Sequence, residues 1–199
     1  MVRKILQKLR FYGRINIFQY FYLNYFCKRV VRMDRSRVIP YKGTVIDIAP
    51  GAKLVLSNGD MEIGYNLLKG SKAETRVRLR ERAVWNSDGG CQIFYGTTVE
   101  VLTDAFFESG HFGINSNSVI VVSKKIHVGN DVMMGRNVLI YDSDHHAIRN
   151  LEGKVTNPDM PIFIGDHVWL ATNVMVMKGS HIGDGSIVGA NSNVRGVIP

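Results

Sequence analysis

Residues 140–146 read IYDSDHH, so two carboxylates, Asp142 and Asp144, stand directly before two imidazoles, His145 and His146. An imidazole titrates near 6.5 and suits the task of taking a proton from a hydroxyl at neutral pH. A neighbouring carboxylate can hold its tautomer and stabilise its protonated form. The spacing leaves open whether Asp142 or Asp144 plays that part. It also leaves His146 as a competitor of His145, because adjacent residues of an extended chain point to opposite faces and a slip of one exchanges them. A histidine pair that merely occupies a turn is the ordinary alternative, and geometry has to separate the two.

The elements that must position these residues form a repeat. In a six-residue frame begun at Val128, the first positions are Val128, Met134 and Ile140 and then, after an interruption, Ile164, Leu170, Val176, Ile182, Val188 and Val194. Every one is aliphatic or Met. The fifth positions, from Val132 and Val138 to Ser192 and Ile198, are small or β-branched except for Asp144. The second positions run Gly129, Gly135, Tyr141; Gly165, Ala171, Met177; Gly183, Gly189, Arg195, so each third member breaks a small-residue rule. That superperiod of eighteen predicts an all-β solenoid with three faces, its first positions pointing inward and compact residues at its corners.

The interruption, HAIRNLEGKVTNPDMPIF at 146–163, would bury His146, Glu152 and Pro158 if kept in frame. It therefore reads as an excursion loop. Upstream, IAPGAKLVLSNG and FGINSNSVIVVSKKIHVG read as imperfect coils, with Ile114, Ile120 and Ile126 two residues out of phase with Val128. A weaker solenoid is expected there.

Composition divides the chain differently. Of 199 residues, 45% are hydrophobic and 21% charged, which fits one soluble domain with an appended arm. The net charge of +8 is concentrated: residues 1–37 carry ten Lys or Arg and one acid, whereas 38–199 carry fifteen bases and sixteen acids. The expected division is a basic aromatic arm, 1–37, and a β-domain, 38–199. The arm's FYGRINIFQYFYLNYF is too interrupted to cross a bilayer, which needs roughly 18 or more apolar residues. Packing of its aromatics against the domain is the first reading. Peripheral contact with anionic lipid is the second, and nucleic-acid binding is disfavoured because no base-stacking or groove-reading motif accompanies the charge. Cys27 and Cys91 lack metal-site or disulfide spacing, and no cleavable leader is evident, so a cytoplasmic protein is expected.

VGNDVMMGRNVLIYDSDHH and IFIGDHVWLATNVMVMKGSHIGDGSIVGANSNV, with the loop between them, resemble the hexapeptide-repeat acyltransferases. The resemblance implies a left-handed parallel β-helix, a handedness that spacing cannot reveal. DSDHH before a loop and PIFIGDHVWL after it are similar to the sugar O-acetyltransferases of surface polysaccharides. The resemblance further implies an acetyl-CoA donor, no required metal, a sugar or glycan acceptor, and a homotrimer with sites between adjacent solenoids. His145 aligns best with the family's base. Trp169 would stand near donor or acceptor, wall packing being its other role, and Ala171, Gly189 and Ala190 would let a pantetheine arm approach the backbone. Arg195 lies in GANSNVRGVIP, similar to the family's GAGSVVTKDIP, beside the position whose Lys contacts coenzyme A phosphates. The histidines at 111, 127, 145, 146, 167 and 181 are never five apart, unlike the metal-binding branch of this fold. His127, His145 and His181 share a phase once the loop is removed, so they are expected to stack along one edge. Two alternatives accompany this reading: an acetyltransferase for serine or an amino sugar, and a non-catalytic solenoid recruited to a membrane assembly.

Overall fold

A computed structural model describes residues 13–33, 35–66 and 70–199. Among these residues the chain forms three parallel sheets, one of eight strands from Val30–Arg32 to Val197–Ile198, one of seven from Val38–Pro40 to Ile187–Val188, and one of seven from Thr44–Ile48 to Asn193–Val194. Each strand pairs with the equivalent strand of the next coil. In the last coils the register step is eighteen residues, as in Ile164↔Ile182, Leu170↔Val188 and Val176↔Val194. All nine first-position residues are buried in one continuous core.

The second position is small because coils stack directly on it. A Cβ added at Gly129 would lie 2.6 Å from the Gly165 carbonyl carbon, and one at Gly135 would lie 2.8 Å from that of Ala171. The fourth position carries a rule of its own. Asp131, Asn137, His167, Asn173 and Asn191 all take positive φ between 53° and 61°. Asn, Asp and His tolerate this left-handed turn better than most residues, and Gly179 and Gly185 take it at two further fourth positions.

The expectation of a weaker solenoid upstream is corrected by the register. Val119 pairs with Leu139 and Phe112 with Val132, each twenty residues on, so Ile114 and Ile120 are buried in coils two residues longer. Farther upstream Trp85 pairs with Phe107, twenty-two residues on. These longer coils enclose a wider section, filled by Trp85, Phe107 and Phe112. Trp85 stacks on Phe107 at 4.9 Å and donates its indole N–H to the Ser109 hydroxyl at 3.0 Å. Aliphatic residues suffice in the narrower coils near the C-terminal end.

The excursion spans the gap between the strands Leu139–Tyr141 and Ile162–Ile164. Ile126 pairs with Ile162, thirty-six residues on, so the loop occupies the length of one whole coil without being one. Ile162 and Phe163, assigned to the loop by the sequence pattern, are strand residues, with Ile162 buried. The loop folds on itself through an antiparallel bridge between Arg149 and Val155.

The charge boundary at residue 37 is not a structural one. Ile15 bridges Tyr41, a short helix occupies Ile17–Phe21, a π-helical turn follows at Tyr22–Phe26, and Val30–Arg32 already forms the outermost strand of the first sheet. Asn16 caps the helix by accepting the Gln19 N–H at 3.2 Å. Leu23 joins the core, but Phe18, Phe21, Tyr22, Tyr25 and Phe26 face outward. The reading in which the arm packs its aromatics against the domain holds only in part: Tyr20 packs on the Ile15, Ile39 and Tyr41 cluster, the five rings just named lie on the other side, and Phe11 and Tyr12 fall outside the described residues.

Candidate active site

The strand Leu139–Tyr141 delivers the chain to a corner of the third sheet, where the excursion begins. His145 and His146 line an open cleft of about 600 Å³ there, walled by Arg80, Leu102, Thr103 and Ser123 of lower coils and by Val155, Asn157 and Pro158 of the loop. His145 takes φ +58°, outside the register of the regular corners, and its N–H is held by the Ser143 hydroxyl at 2.9 Å. Its ring meets Tyr141 edge-on with centroids 5.7 Å apart. Burial raises the Tyr141 phenol above its ordinary value, so this ring remains neutral near pH 7.

The two carboxylates, between which the spacing left the choice open, have different surroundings. Asp144, at the fifth position where the repeat otherwise carries small or β-branched residues, is exposed, while Asp142 is fully buried. Asp142 accepts the backbone N–H groups of Ser123, Lys124 and Lys125 at 2.6, 2.8 and 2.8 Å. Above that corner the chain is leaving the solenoid, so the carboxylate replaces the carbonyls of a missing coil. Burial raises the Asp142 pKa, and the three amides oppose the shift.

Asp144 is turned to the loop. Lys178 Nζ donates to its Oδ2 at 2.6 Å and to the Asn157 carbonyl at 2.9 Å. Asn157 Nδ2 donates to the same Asp144 oxygen at 2.9 Å and to the His146 carbonyl at 2.8 Å, and its side-chain oxygen accepts the Ile148 N–H at 2.6 Å. The Lys178 and Asn157 bonds hold the Asp144 carboxyl below the usual carboxylate range. Both aspartates are thus committed to backbone or loop, and the expected carboxylate–His145 pair is replaced by a network that fixes the His145–His146 backbone. No feature of the sequence singled out Lys178 or Asn157.

The larger second-position residues share this corner. Tyr141 and Met177 are in register, and the Arg195 guanidinium lies 3.8 Å from the Met177 sulfur, close enough to Asp144 to help lower its pKa. The break in the small-residue rule was therefore the sequence signal for the face that carries the site. Trp169 lies elsewhere, exposed on the second sheet between Met133 and Ile187. Ala171, Gly189 and Ala190 follow that sheet at its corners. Within one chain the structure brings Arg195 to the Met177 and Asp144 side of this corner, and places Trp169, Ala171, Gly189 and Ala190 away from it.

The expected three-histidine edge is also corrected. His127 and His181 stack on either side of Phe163, at 4.2 and 5.2 Å between ring centroids, while the excursion carries His145 to another corner. His111 and His167 instead flank Asp131, each Nδ1 at 3.5 Å from a carboxylate oxygen. Cys27 and Cys91 are buried, and burial raises the Cys91 thiol pKa, which suits neither to nucleophilic attack.

Residues 161–196 match the family described as bacterial transferase hexapeptide (six repeats). These residues carry the hexapeptide repeat. The fold of the chain is the left-handed parallel β-helix, and 85% of it superposes on 81% of a crystallographically solved polysialic acid O-acetyltransferase at a TM-score of 0.57 and 21% identity. In sequence it is 33% identical over 103 residues to a putative lipopolysaccharide biosynthesis O-acetyl transferase of Escherichia coli, covering 47% of this chain and 52% of that protein. It is 37% identical over 93 residues to a galactoside O-acetyltransferase of Lactococcus lactis, covering 45% of each. The chain spans about half the length of these curated relatives.

Proposed function

We propose that the protein is an acetyl-CoA-dependent sugar O-acetyltransferase acting on a surface-glycan precursor by direct transfer. The observation that carries this reading is a histidine pair at the mouth of a cleft, held by a loop network, with an arginine two coils farther along the same corner. Similarity to O-acetyltransferases supports the choice of reaction. In the proposed step His145 accepts the acceptor hydroxyl proton while that oxygen attacks the thioester carbonyl. The carbon–sulfur bond breaks and the proton passes to the leaving thiolate, so no covalent enzyme species is needed. Arg195 would meet coenzyme A phosphate, for which a guanidinium beside open surface is chemically suited. Acetyl-CoA itself contributes the activated acyl group.

A homotrimer completes the proposal. Met133, Trp169 and Ile187 form an exposed in-register ladder on the second sheet, a face whose burial between chains would bring Trp169 of one solenoid toward the histidine corner of the next. The deciding measurement is coenzyme A release across a panel of nucleotide- and lipid-linked surface-glycan precursors, with serine and amino sugars as competing acceptors. Wild-type turnover with a sugar hydroxyl, abolished by His145→Ala and retained in part by His146→Ala, is expected. Full turnover by His145→Ala would overturn the assignment of the base, and turnover only with serine or amino sugars would overturn the substrate class.

A further inference from the structure

The segment that closes the first coil keeps a solvent-facing side that the solenoid does not explain. Phe18 is 90% exposed, Phe26 74% and Tyr25 66%, and Phe21 and Tyr22 extend the same side. Burying even one such ring is favourable by roughly 1.5–3 kcal/mol, so five left in water on one short segment point to a surface that is covered in use. The rings are not loosely placed. Asn24, buried beneath them, donates to the Val38 carbonyl at 2.7 Å and accepts the Val38 N–H at 2.9 Å, satisfying both backbone groups of an edge residue. Arg32 donates to the Asn24 and Ser36 carbonyls, each at 2.6 Å. The segment is therefore fastened to the end of the solenoid with its aromatic side turned away.

Charge identifies what covers it. Residues 1–37 contain ten cations and one acid. Arg37 is occupied by Asp60, whereas Lys28, Arg35 and Lys42 are exposed and have no carboxylate partner among the described residues. Rings with polar tips, such as Tyr22 and Tyr25, beside lysine and arginine match the interfacial layer of an anionic bilayer, where the apolar ring enters the acyl boundary and each cation meets phosphate. No helix among the described residues is long and apolar enough to cross a membrane, so the contact is peripheral. We infer that the aromatic cap at residues 17–26, with its flanking cations, docks the solenoid end-on to an anionic lipid surface.

Flotation of the full chain tests this with vesicles of phosphatidylcholine containing phosphatidylglycerol and with vesicles of phosphatidylcholine alone. The protein should float with the anionic vesicles at low salt and sink as salt is raised. Phe18→Ser combined with Phe26→Ser should lower partitioning about tenfold or more, and Lys28→Glu with Arg35→Glu by about 25-fold or more. Both variants should keep the wild-type melting temperature, because the altered side chains face solvent. Equal flotation with neutral vesicles, no flotation at all, or wild-type flotation by the aromatic variant would each overturn the inference. So would a change in the sedimentation coefficient of the lipid-free aromatic variant, which would make the cap a contact between copies of the chain.

Discussion

Two corners of the solenoid bring histidine and aspartate together, and both line a cleft, of about 600 Å³ at the excursion and about 540 Å³ at the other, but only the first has a wall made by a loop. At the regular corner His111 and His167 share the exposed carboxylate of Asp131 across stacked coils, with no loop above them. At the excursion the neighbouring aspartates are both spent on structure, one on three backbone amides and the other on Lys178 and Asn157, and the imidazoles are left facing the cleft. Proximity of an acid to a histidine is thus a poor guide to chemistry in this fold. What sets the excursion apart is the departure of the chain from the stack, which adds a wall of loop residues beside unpaired imidazoles, together with the groups that make that departure stable.

The largest expected contrast is catalytic. Removing a general base costs roughly 10²–10⁴ in rate, so His145→Ala should lose that much turnover while His167→Ala stays within about twofold. Equal losses at both corners would erase the distinction.

Stability should separate the same corners. Asp142→Ala strands three amides, each worth on the order of 1 kcal/mol or more, and should cost about 3 kcal/mol, or roughly 6–12 °C in melting temperature. Asp131→Asn, which keeps a side chain that tolerates the left-handed turn and loses only exposed pairs, should change stability by about 0.5 kcal/mol or less in a calorimetric comparison.

A smaller effect is expected at the loop. Lys178→Met should lower kcat about tenfold by loosening the backbone of His145 and His146, with a change in melting temperature too small to account for it. Unchanged kcat would reduce the network to a loop fastening. Last, the folded state holds the Asp144 carboxyl below its unfolded value, so the stabilisation is present above about pH 3.9 and is lost as pH falls through the depressed folded value. Loop protection in hydrogen exchange should weaken only on that acid side, and weakening between neutral pH and pH 5 would contradict the pairing with Lys178.

Much of the architecture was legible because one chemical rule repeats: an inward aliphatic residue every six positions and a glycine where the next coil would collide with a Cβ. The rule was hardest to follow where coils lengthen from eighteen to twenty or twenty-two residues, since Ile114 and Ile120 then fall out of frame while remaining inside. The site was legible as a place, through Asp144, Tyr141 and Arg195 breaking the pattern. Its internal wiring was not. Asp142 is buried by a deficit of acceptors over Ser123–Lys125, Lys178 and Asn157 meet only after the loop closes, and no local spacing encodes either event. The orientation of the aromatic arm was hidden for a related reason: composition counts its rings but cannot say which side of a short segment Leu23 and Asn24 claim.

Equal stacking gives the molecule a unit of height. Strands in a sheet lie about 4.8 Å apart, so Leu139–Tyr141, four strands above Thr44–Ile48 in the third sheet, stands roughly 19 Å from that end of the column. Residue count along the chain becomes a vertical offset, and excising one complete turn below the cleft would lower its mouth by a single rung without touching a side chain inside it. Reach toward an acceptor is in this way adjustable separately from the reactivity of the groups that meet it.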